Sequence, residues 1–128
     1  MMQNQDPRIS HASANGILTV RLKGRVDLDL MTKHITQHSG VWVQHACILW
    51  DTLQLDLRGV TADEVMKLPD SSRQLTKLRA GGRTALLAQK EFELIAKFIV
   101  AEFESQDSPV EFRTFLHEED ALAWLRAI

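Results

Sequence analysis

The apolar run Ala46–Trp50 is the feature that most constrains the fold of this chain. The run has the length of a β-strand, and no polar residue interrupts it before Asp51. A strand with one wet face alternates polar and apolar residues, so a run without alternation is typical of a strand buried on both faces. Such strands occur in parallel sheets that helices cover. The following segment, Leu53–Leu57, does alternate, and either the strand continues there or an edge segment follows.

A β-hairpin is predicted before this strand. Two β-prone segments, Ile9–Ala14 and Ile17–Leu22, are separated by Asn15 and Gly16, a pair suited to the positive φ angles of a tight primed turn. Apolar and polar residues alternate in the second segment, so one of its faces should meet the core. We expect Gly24 to end it.

Two helices are predicted from residue spacing. Asp27 suits the N-cap of the first, and we expect Gly40 to end it. Its apolar stripe consists of Leu28, Met31, Ile35 and His38. Thr61 and Glu64 have the spacing of a capping box, which predicts the start of a second helix that runs to Gly81 and Gly82. Pro69 interrupts it, and this predicts either a kink or two short helices, with Asp70 or Ser71 capping the latter.

The rest of the chain repeats the alternation of strand and helix. It comprises a strand at Arg83–Ala88, a helix carrying Phe92, Ile95, Ile99 and Phe103, a strand at Val110–Leu116 and a closing helix at Glu118–Ile128. The predicted class is therefore α/β, with an N-terminal β-hairpin followed by αβαβαβα in an open mixed sheet covered by helices. We expect residues 1–8 to be a flexible N-terminus and residues 9–128 to form a single domain.

Composition excludes several classes of protein. The chain has 128 residues, of which 45% are hydrophobic and 25% charged, a balance typical of a globular domain. Its net charge of -2 disfavours nucleic-acid binding, which needs a basic surface. No segment is apolar for long enough to span a membrane, and the first residues do not resemble a leader. Cys47, the single cysteine, lies in an apolar run and is expected to be a buried, inert thiol. Because no disulfide can form within the chain, nothing suggests an oxidising compartment, and the expected location is cytoplasmic.

Asp51 and Asp56 raise the question of an acidic site. Both should lie near the carboxyl end of a central strand, where open α/β sheets usually bind ligands. A phosphoacceptor receiver domain also has an aspartate there, but it needs an acidic pair after its first strand and a lysine after its last. Neither is present. Asp51 is therefore expected to accept backbone amides at a strand end.

Motifs for metal binding or catalysis are also weak. The chain has five histidines, His11, His34, His38, His45 and His117, and only His34 and His38 have ligand-like spacing on one helix face. No acid nearby supplies an obvious third ligand, so we expect no metal site. Ser71 and Ser72 lack the GxSxG context of a nucleophile, and glycines do not follow a strand as a nucleotide-binding loop requires. We therefore expect that the protein binds no cofactor and is not an enzyme.

The order of elements, the strand ending in ILWD, the segment LDLRGVTADEV and the ending FRTFLHEEDALAWL together resemble the STAS superfamily. The resemblance extends from Ile9 to Leu125. Within this superfamily, the chain most resembles the anti-sigma-factor-antagonist-like branch of small bacterial proteins, which is the sporulation stage II AA-like or STAS/SEC14 group. Members are typically non-catalytic binding modules, and this resemblance implies a STAS-like fold for the chain.

The best known members of this superfamily have a serine at the start of the helix after the central strand, which a partner kinase phosphorylates. That serine is preceded by Asp and followed by Ser and Gly. Here Asp70, Ser71 and Ser72 occur, but Arg73 replaces the glycine and the triplet is far from the strand. Thr61 is electrostatically permitted as a phosphorylation site at a helix N-terminus, and so is Ser71 if Pro69 starts a new helix. Electrostatic permission is weak evidence, and plain helix capping is the favoured explanation of these residues.

Two functions remain open. The first is a non-enzymatic interaction module whose partner protein binds at the strand-to-helix edge. The residues of this edge patch are Asp51, Asp56, Arg58, Thr61 and Asp63. The second, implied by the SEC14-like side of the resemblance, is a small carrier that holds an apolar or lipid-like ligand in a pocket between sheet and helices.

A homodimer is also expected. Leu94 and Phe98 point away from the main stripe of their helix and need a cover. The closing helix spreads its apolar residues, Trp124 among them, over more than half its circumference. The predicted interface therefore combines Leu94, Phe98 and Trp124, unless helices of the same chain cover them.

Overall fold

The fold was obtained as a computed structural model that describes residues 6–127. Five strands form one sheet: β1 (Ile9–Ala14), β2 (Ile17–Gly24), β3 (Cys47–Leu55), β4 (Arg83–Leu87) and β5 (Glu111–Phe115). Six α-helices accompany them: α1 (Leu28–Gln37), α2 (Ser39–Val43), α3 (Ala62–Ser71), α4 (Arg73–Leu78), α5 (Glu93–Ser105) and α6 (Glu118–Arg126). The predicted α/β class is confirmed.

The strands lie in the sheet in chain order, β1-β2-β3-β4-β5. β1 is antiparallel to β2, and the other pairs are parallel. The sheet is therefore open and mixed, as predicted. Each parallel connection steps to the next strand in the same direction, and right-handed crossovers of this kind place their helices on one face. Helices α1 to α5 accordingly cover one face, and α6 packs on the other.

The hairpin forms where the sequence predicts it. Asn15 and Gly16 have φ angles of 55° and 78°, and Ile9 pairs with Leu22 at the far end of the ladder. The sequence left open whether the strand continues after Asp51 or an edge segment follows. The strand does continue, because β3 extends into the alternating segment as far as Leu55. Of the segment expected to be a flexible N-terminus, residues 1–5 lie outside the described residues. Asp6 is within them and pairs with Arg8.

The first connection contains two helices instead of one. Asp27 caps α1 as predicted, and its side chain accepts a hydrogen bond from the amide of Leu30. The prediction that Gly40 ends the helix is wrong, because Gly40 lies inside the short helix α2. The break comes earlier, at His38, whose backbone leaves the helical region at φ −121° and ψ 25°. The carbonyl of His38 then accepts the amide of Val41 and starts the second helix.

The second connection is split at Ser72, not at Pro69. α3 continues through Pro69 to Ser71, and α4 starts at Arg73. Neither Asp70 nor Ser71 therefore caps a helix, because both belong to the last turn of α3. Pro69 is tolerated near the end of a short helix, where only one intrahelical bond is lost.

The capping box at the start of α3 is only half formed. Thr61 accepts the amide of Glu64 as predicted. The carboxylate of Glu64 does not reach back to the amide of Thr61. Its Oε2 atom accepts the amide of Leu28 at 2.7 Å instead, and this links the start of α3 to the start of α1.

The core has two parts, one on each face of the sheet. The part under α1 to α5 is the larger and includes Leu18, Val20 and Ile48. The part under α6 includes Leu49 and Leu87, and Cys47 belongs to it. Burial raises the pKa of the Cys47 thiol, whose Sγ atom donates to the carbonyl of Leu125, and this agrees with the expected inert thiol. Within residues 6–127, no helix is long and apolar enough to cross a membrane.

Candidate functional site

A cavity of about 560 Å³ lies between the sheet and its helices. We call it the central cavity. Strands β2 to β5 form its floor, and helices α1 to α5 supply its walls. Its surface is largely apolar and rich in aromatic rings, which come from Trp42, Trp50, Phe92, Phe103 and Phe112.

The central cavity leaves residues of the central strands incompletely covered. Ile48 on β3 is fully buried, but Trp50, two residues further along the same face, is only partly buried. Leu86, the neighbour of Trp50 on β4, is partly buried as well. Large side chains in the middle of a helix-covered sheet are normally buried, so the helices here stand off from the sheet floor.

Most polar side chains on the cavity wall are already hydrogen-bonded within the chain. Thr52 donates to the carbonyl of Leu87 and Thr76 to that of Ser72, so neither hydroxyl proton is available to a ligand. An apolar surface with few available polar groups is typical of a pocket that selects its ligand by shape.

Arg79 brings a buried positive charge to this wall. Only 8% of this residue is exposed, and burial lowers its pKa to about 10, so it remains charged at neutral pH. Its guanidinium donates to the carbonyls of His45, Ala46 and Arg83 and to the hydroxyl of Thr84. Among residues 6–127 no carboxylate pairs with it. A buried cation without a counter-ion is unusual, because its desolvation is compensated only by dipoles.

The predicted edge patch does not form an open acidic site. Asp51 lies within β3, where one of its oxygens accepts the amide of Leu53 at 3.0 Å and the other the Nε atom of Arg21 at 3.3 Å. This agrees with the expectation that Asp51 accepts a backbone amide.

Asp56 is held still more tightly. It accepts the amide and the guanidinium of Arg58, and the guanidinium of Arg25 lies 3.6 Å away. The hydrogen bonds from Arg58 hold the pKa of the Asp56 carboxyl far below its usual range. Both aspartates are thus paired inside the chain, and what the edge offers to a partner is mainly the exposed side chain of Arg58.

The surroundings of both predicted phosphorylation sites are electrostatically unfavourable for a phosphate. The Oγ atom of Thr61 donates to a carboxylate oxygen of Glu64 at 3.1 Å, so a phosphate there would meet a negative charge. Ser71 ends α3 and donates to the carbonyl of Leu68. A phosphate at that position would face the negative end of the helix dipole, which is unfavourable. Asp63, the last member of the edge patch, is exposed in the first turn of α3.

The fold brings together three histidines that the sequence separates. His11 on β1 lies against His34 on α1 and against His38 at the C-cap of that helix, with ring centroids 5.3 Å and 4.7 Å away. The Nδ1 atom of His11 is 3.1 Å from the Nε2 atom of His34. One ring nitrogen from each residue can be chosen so that all three atoms lie within 4.8 Å of one another. We call these residues the histidine cluster.

The surroundings favour the neutral form of two members of the histidine cluster. Burial, followed by the proximity of His38 and His11, lowers the pKa of His34 to about 4. Burial also lowers the pKa of His11. Only 7% of His34 is exposed, and the ring of Trp42 packs 5.7 Å from those of His11 and His34. The cluster is therefore half enclosed, with His34 at its buried end.

Helix spacing revealed only two of these three histidines. His34 on α1 and His38 at its C-cap have the spacing of one helix face, but the third histidine comes from a strand 23 residues before His34. The alternation of side chains along β1 could have identified the third histidine. Ile9 faces the core, and His11, two residues further along the strand, must therefore face the same side.

The residues of the predicted dimer interface occupy two faces of the sheet. Leu94 and Phe98 on α5 are 80% and 47% exposed, as expected from their offset on the helix. Trp124 on α6 lies on the opposite face, where it packs against Phe115 and Arg83. The three residues therefore do not form one continuous patch, because the sheet separates α5 from α6. A dimer through α5 stays a prediction.

Comparison with known proteins identifies the fold. The chain matches no protein-family model and no curated protein. It is similar to an uncharacterised protein of the DUF3478 family from Shewanella loihica PV-4, whose 2.25 Å crystal structure shows a SpoIIAA-like fold. The two share 18% sequence identity and a TM-score of 0.60, and the match covers 98% of each chain. At this identity the likeness is one of fold, and it confirms the STAS-like architecture that the sequence motifs imply.

Proposed function

Starting from this SpoIIAA-like fold, we propose that the protein is a non-catalytic carrier that holds an apolar molecule with an acidic end group in its central cavity. The observation that carries the proposal is the cavity itself, at about 560 Å³. Packed protein cores leave few voids larger than a water molecule. Ligand pockets, in contrast, measure roughly 300–1,000 Å³ and are mainly apolar.

The shape of the floor supports this proposal. Trp50 and Leu86 present partly uncovered surface to the cavity, and filling the space above them would remove that surface from water. Each Å² of apolar surface removed from water stabilises a complex by about 25 cal/mol. A ligand of matching shape would thus restore the burial that the helices leave incomplete.

Arg79 supports the acidic end group. It lines the cavity and has no carboxylate partner among the described residues. Four guanidinium N–H groups are used by the chain, and a guanidinium has five. The carboxylate of a bound ligand would supply both an acceptor for the fifth and the missing negative charge.

Native mass spectrometry of protein taken directly from cells is the first test. We expect an added mass that denaturation releases, and a negatively charged, largely apolar compound in the released fraction. Purified protein should also bind a medium-chain carboxylic acid more tightly than the alcohol of equal length, because only the acid complements Arg79. Protein that carries no added mass and binds neither compound would contradict the carrier function.

A matched pair of variants locates the binding. Leu86→Trp adds a large ring at the cavity floor, and Leu94→Trp makes the same change on an exposed surface outside the cavity. The first should lower acid binding by an order of magnitude or more, whereas the second should leave it unchanged. Equal binding by both variants would place the ligand elsewhere.

An interaction module at the edge patch is the second candidate. Arg58 favours it, because its side chain is 79% exposed although Asp56 holds it in one geometry, and a rigid exposed guanidinium suits a protein contact. Reversing the charges of Arg58 and Asp63 together should abolish capture of such a partner. Reversing the exposed pair Asp29 and Lys33 on α1 is the matched control. A partner retained by the edge-patch double variant would exclude the patch.

A further inference from the structure

We propose that the histidine cluster, His11, His34 and His38, is a binding site for one divalent transition-metal ion of the zinc class. This site is separate from the carrier function and would stand if that function were disproved. It joins the edge strand β1 to helix α1 at one end of the sheet.

The spacing of the ring nitrogens supports this site. Zinc binds imidazole nitrogen at roughly 2.0–2.1 Å, so two ligand atoms of a tetrahedral site are about 3.3 Å apart. His11 Nδ1 and His34 Nε2 already lie at 3.1 Å. The nitrogen of His38 completes a group in which no separation exceeds 4.8 Å. Rotation of the three imidazole rings would bring their nitrogens to the separation and direction that a tetrahedral ion requires.

The hydrogen bond within the cluster also suits a metal. A metal ion binds imidazole through a ring nitrogen that carries no proton. The 3.1 Å contact places one shared proton between the two facing nitrogens. Metal binding moves that proton to the other nitrogen of the same ring, so no proton needs to leave the protein.

The ligand set indicates which ions would fit. Three imidazoles and no carboxylate favour zinc, copper, nickel or cobalt over magnesium or calcium, which require oxygen ligands. Three protein ligands leave the fourth tetrahedral position to water, as in zinc sites that keep an open position. The partial exposure of His11 and His38 gives solvent access to that position.

The surroundings hold the ligands in place. Trp42 is only 3% exposed and packs against both His11 and His34. His45, in the loop between α2 and β3, is not a ligand, because its two nitrogens already contact Ser13 Oγ and the carbonyl of Val41, each at 2.7 Å. His45 therefore provides a natural control.

The test is equilibrium dialysis of the purified, chelator-treated full chain against zinc, with the bound metal measured by elemental analysis. We expect one tightly bound zinc ion per chain. His38→Gln should weaken binding by more than the roughly 10–100-fold that loss of a supporting partner costs. His45→Gln and His117→Gln remove histidines outside the cluster and should leave the affinity unchanged.

Cobalt provides a second readout that does not depend on a stability change. Co²⁺ bound to the cluster should show the intense visible absorption of tetrahedral coordination and should quench the fluorescence of Trp42, which is adjacent to two ligands. The double variant His11→Gln, His38→Gln should show neither effect, and its circular dichroism establishes that it is folded. If wild type binds no more zinc than this double variant, or if His45→Gln and His117→Gln lower the affinity as much as His38→Gln, the site is disproved.

Discussion

Gly82 lies where the chain turns from α4 into β4, with its Cα pressed against the backbone that precedes β3. A Cβ atom at this position would be 2.4 Å from the carbonyl oxygen of Ala46 and 3.0 Å from that of Arg79. Both atoms are backbone, so the clash cannot be relieved by a side-chain rotation. Gly82→Ala should therefore lower the free energy of unfolding by about 1–3 kcal/mol, as overpacking does in well-packed cores. Urea denaturation measures the effect.

Gly40 is the matched control for this prediction. It lies in α2, and a Cβ atom there would meet nothing within 4 Å. Alanine is favoured over glycine inside helices by roughly 0.5–1 kcal/mol. Gly40→Ala should therefore raise the free energy of unfolding, and a loss of similar size in both variants would mean that the contact at Ala46 is unimportant.

The loop after β3 provides a prediction at the scale of the element. Asp56 holds this loop through the amide and side chain of Arg58, and its own amide donates to the carbonyl of Gly24 at 2.8 Å. The hydrogen bonds from Arg58 lower the pKa of the Asp56 carboxyl in the folded state. The carboxylate therefore stabilises the fold above the ordinary pKa of 3.8, and this stabilisation is lost as the pH falls below that value.

Asp56→Asn should thus be less stable than wild type at neutral pH, and the difference should shrink in acid. Chemical denaturation from pH 7 to pH 2 measures both. Asp29→Asn, which removes an exposed carboxylate on α1, is the control and should have little effect at any pH. A pH-independent difference for Asp56→Asn would mean that the side chain acts through packing alone.

The elements that the sequence predicts well are those with a local cause. The positive φ angles of Asn15 and Gly16 are a property of the turn itself, and the cap at Asp27 needs only the next three residues. The break at His38 has no such signal, because neither a glycine nor a proline lies at that position. Gly40 was the stronger local cue, and tertiary packing overrode it.

The candidate sites depend on distant pairings, which residue spacing does not contain. His11 meets His34 only because β1 occupies the edge of the sheet beside α1. Glu64 was expected to cap its own helix, but Leu28 competes for its carboxylate across 36 residues. The central cavity is still harder to predict, since it arises where five helices fail to fill the space above Trp50.

The exposed face of α5 provides a prediction at the scale of the whole molecule. Leu94 and Phe98 are 80% and 47% exposed, and covering them would gain roughly 1.5–3 kcal/mol for Leu94 and about half as much for Phe98, which is already half buried. We expect a homodimer through this face at micromolar concentration. Phe98→Glu should convert it to a monomer in analytical ultracentrifugation. Leu53→Glu, which changes a leucine on β3 that is 44% exposed against 47% for Phe98, should remain dimeric. A monomeric wild type would exclude the dimer.

The strands lie in the sheet in the order in which they occur in the chain, and this order affects how the sheet assembles during folding. Every strand after the first pairs with the strand that directly precedes it in the chain, so no loop must close around an element that is still missing. Parallel sheets are usually slow to assemble because their pairings are far apart in sequence. Here the hairpin can act as a template to which one strand at a time is added, so that the next strand of the chain covers each bare strand edge, and this limits the time for which the edge is open to aggregation.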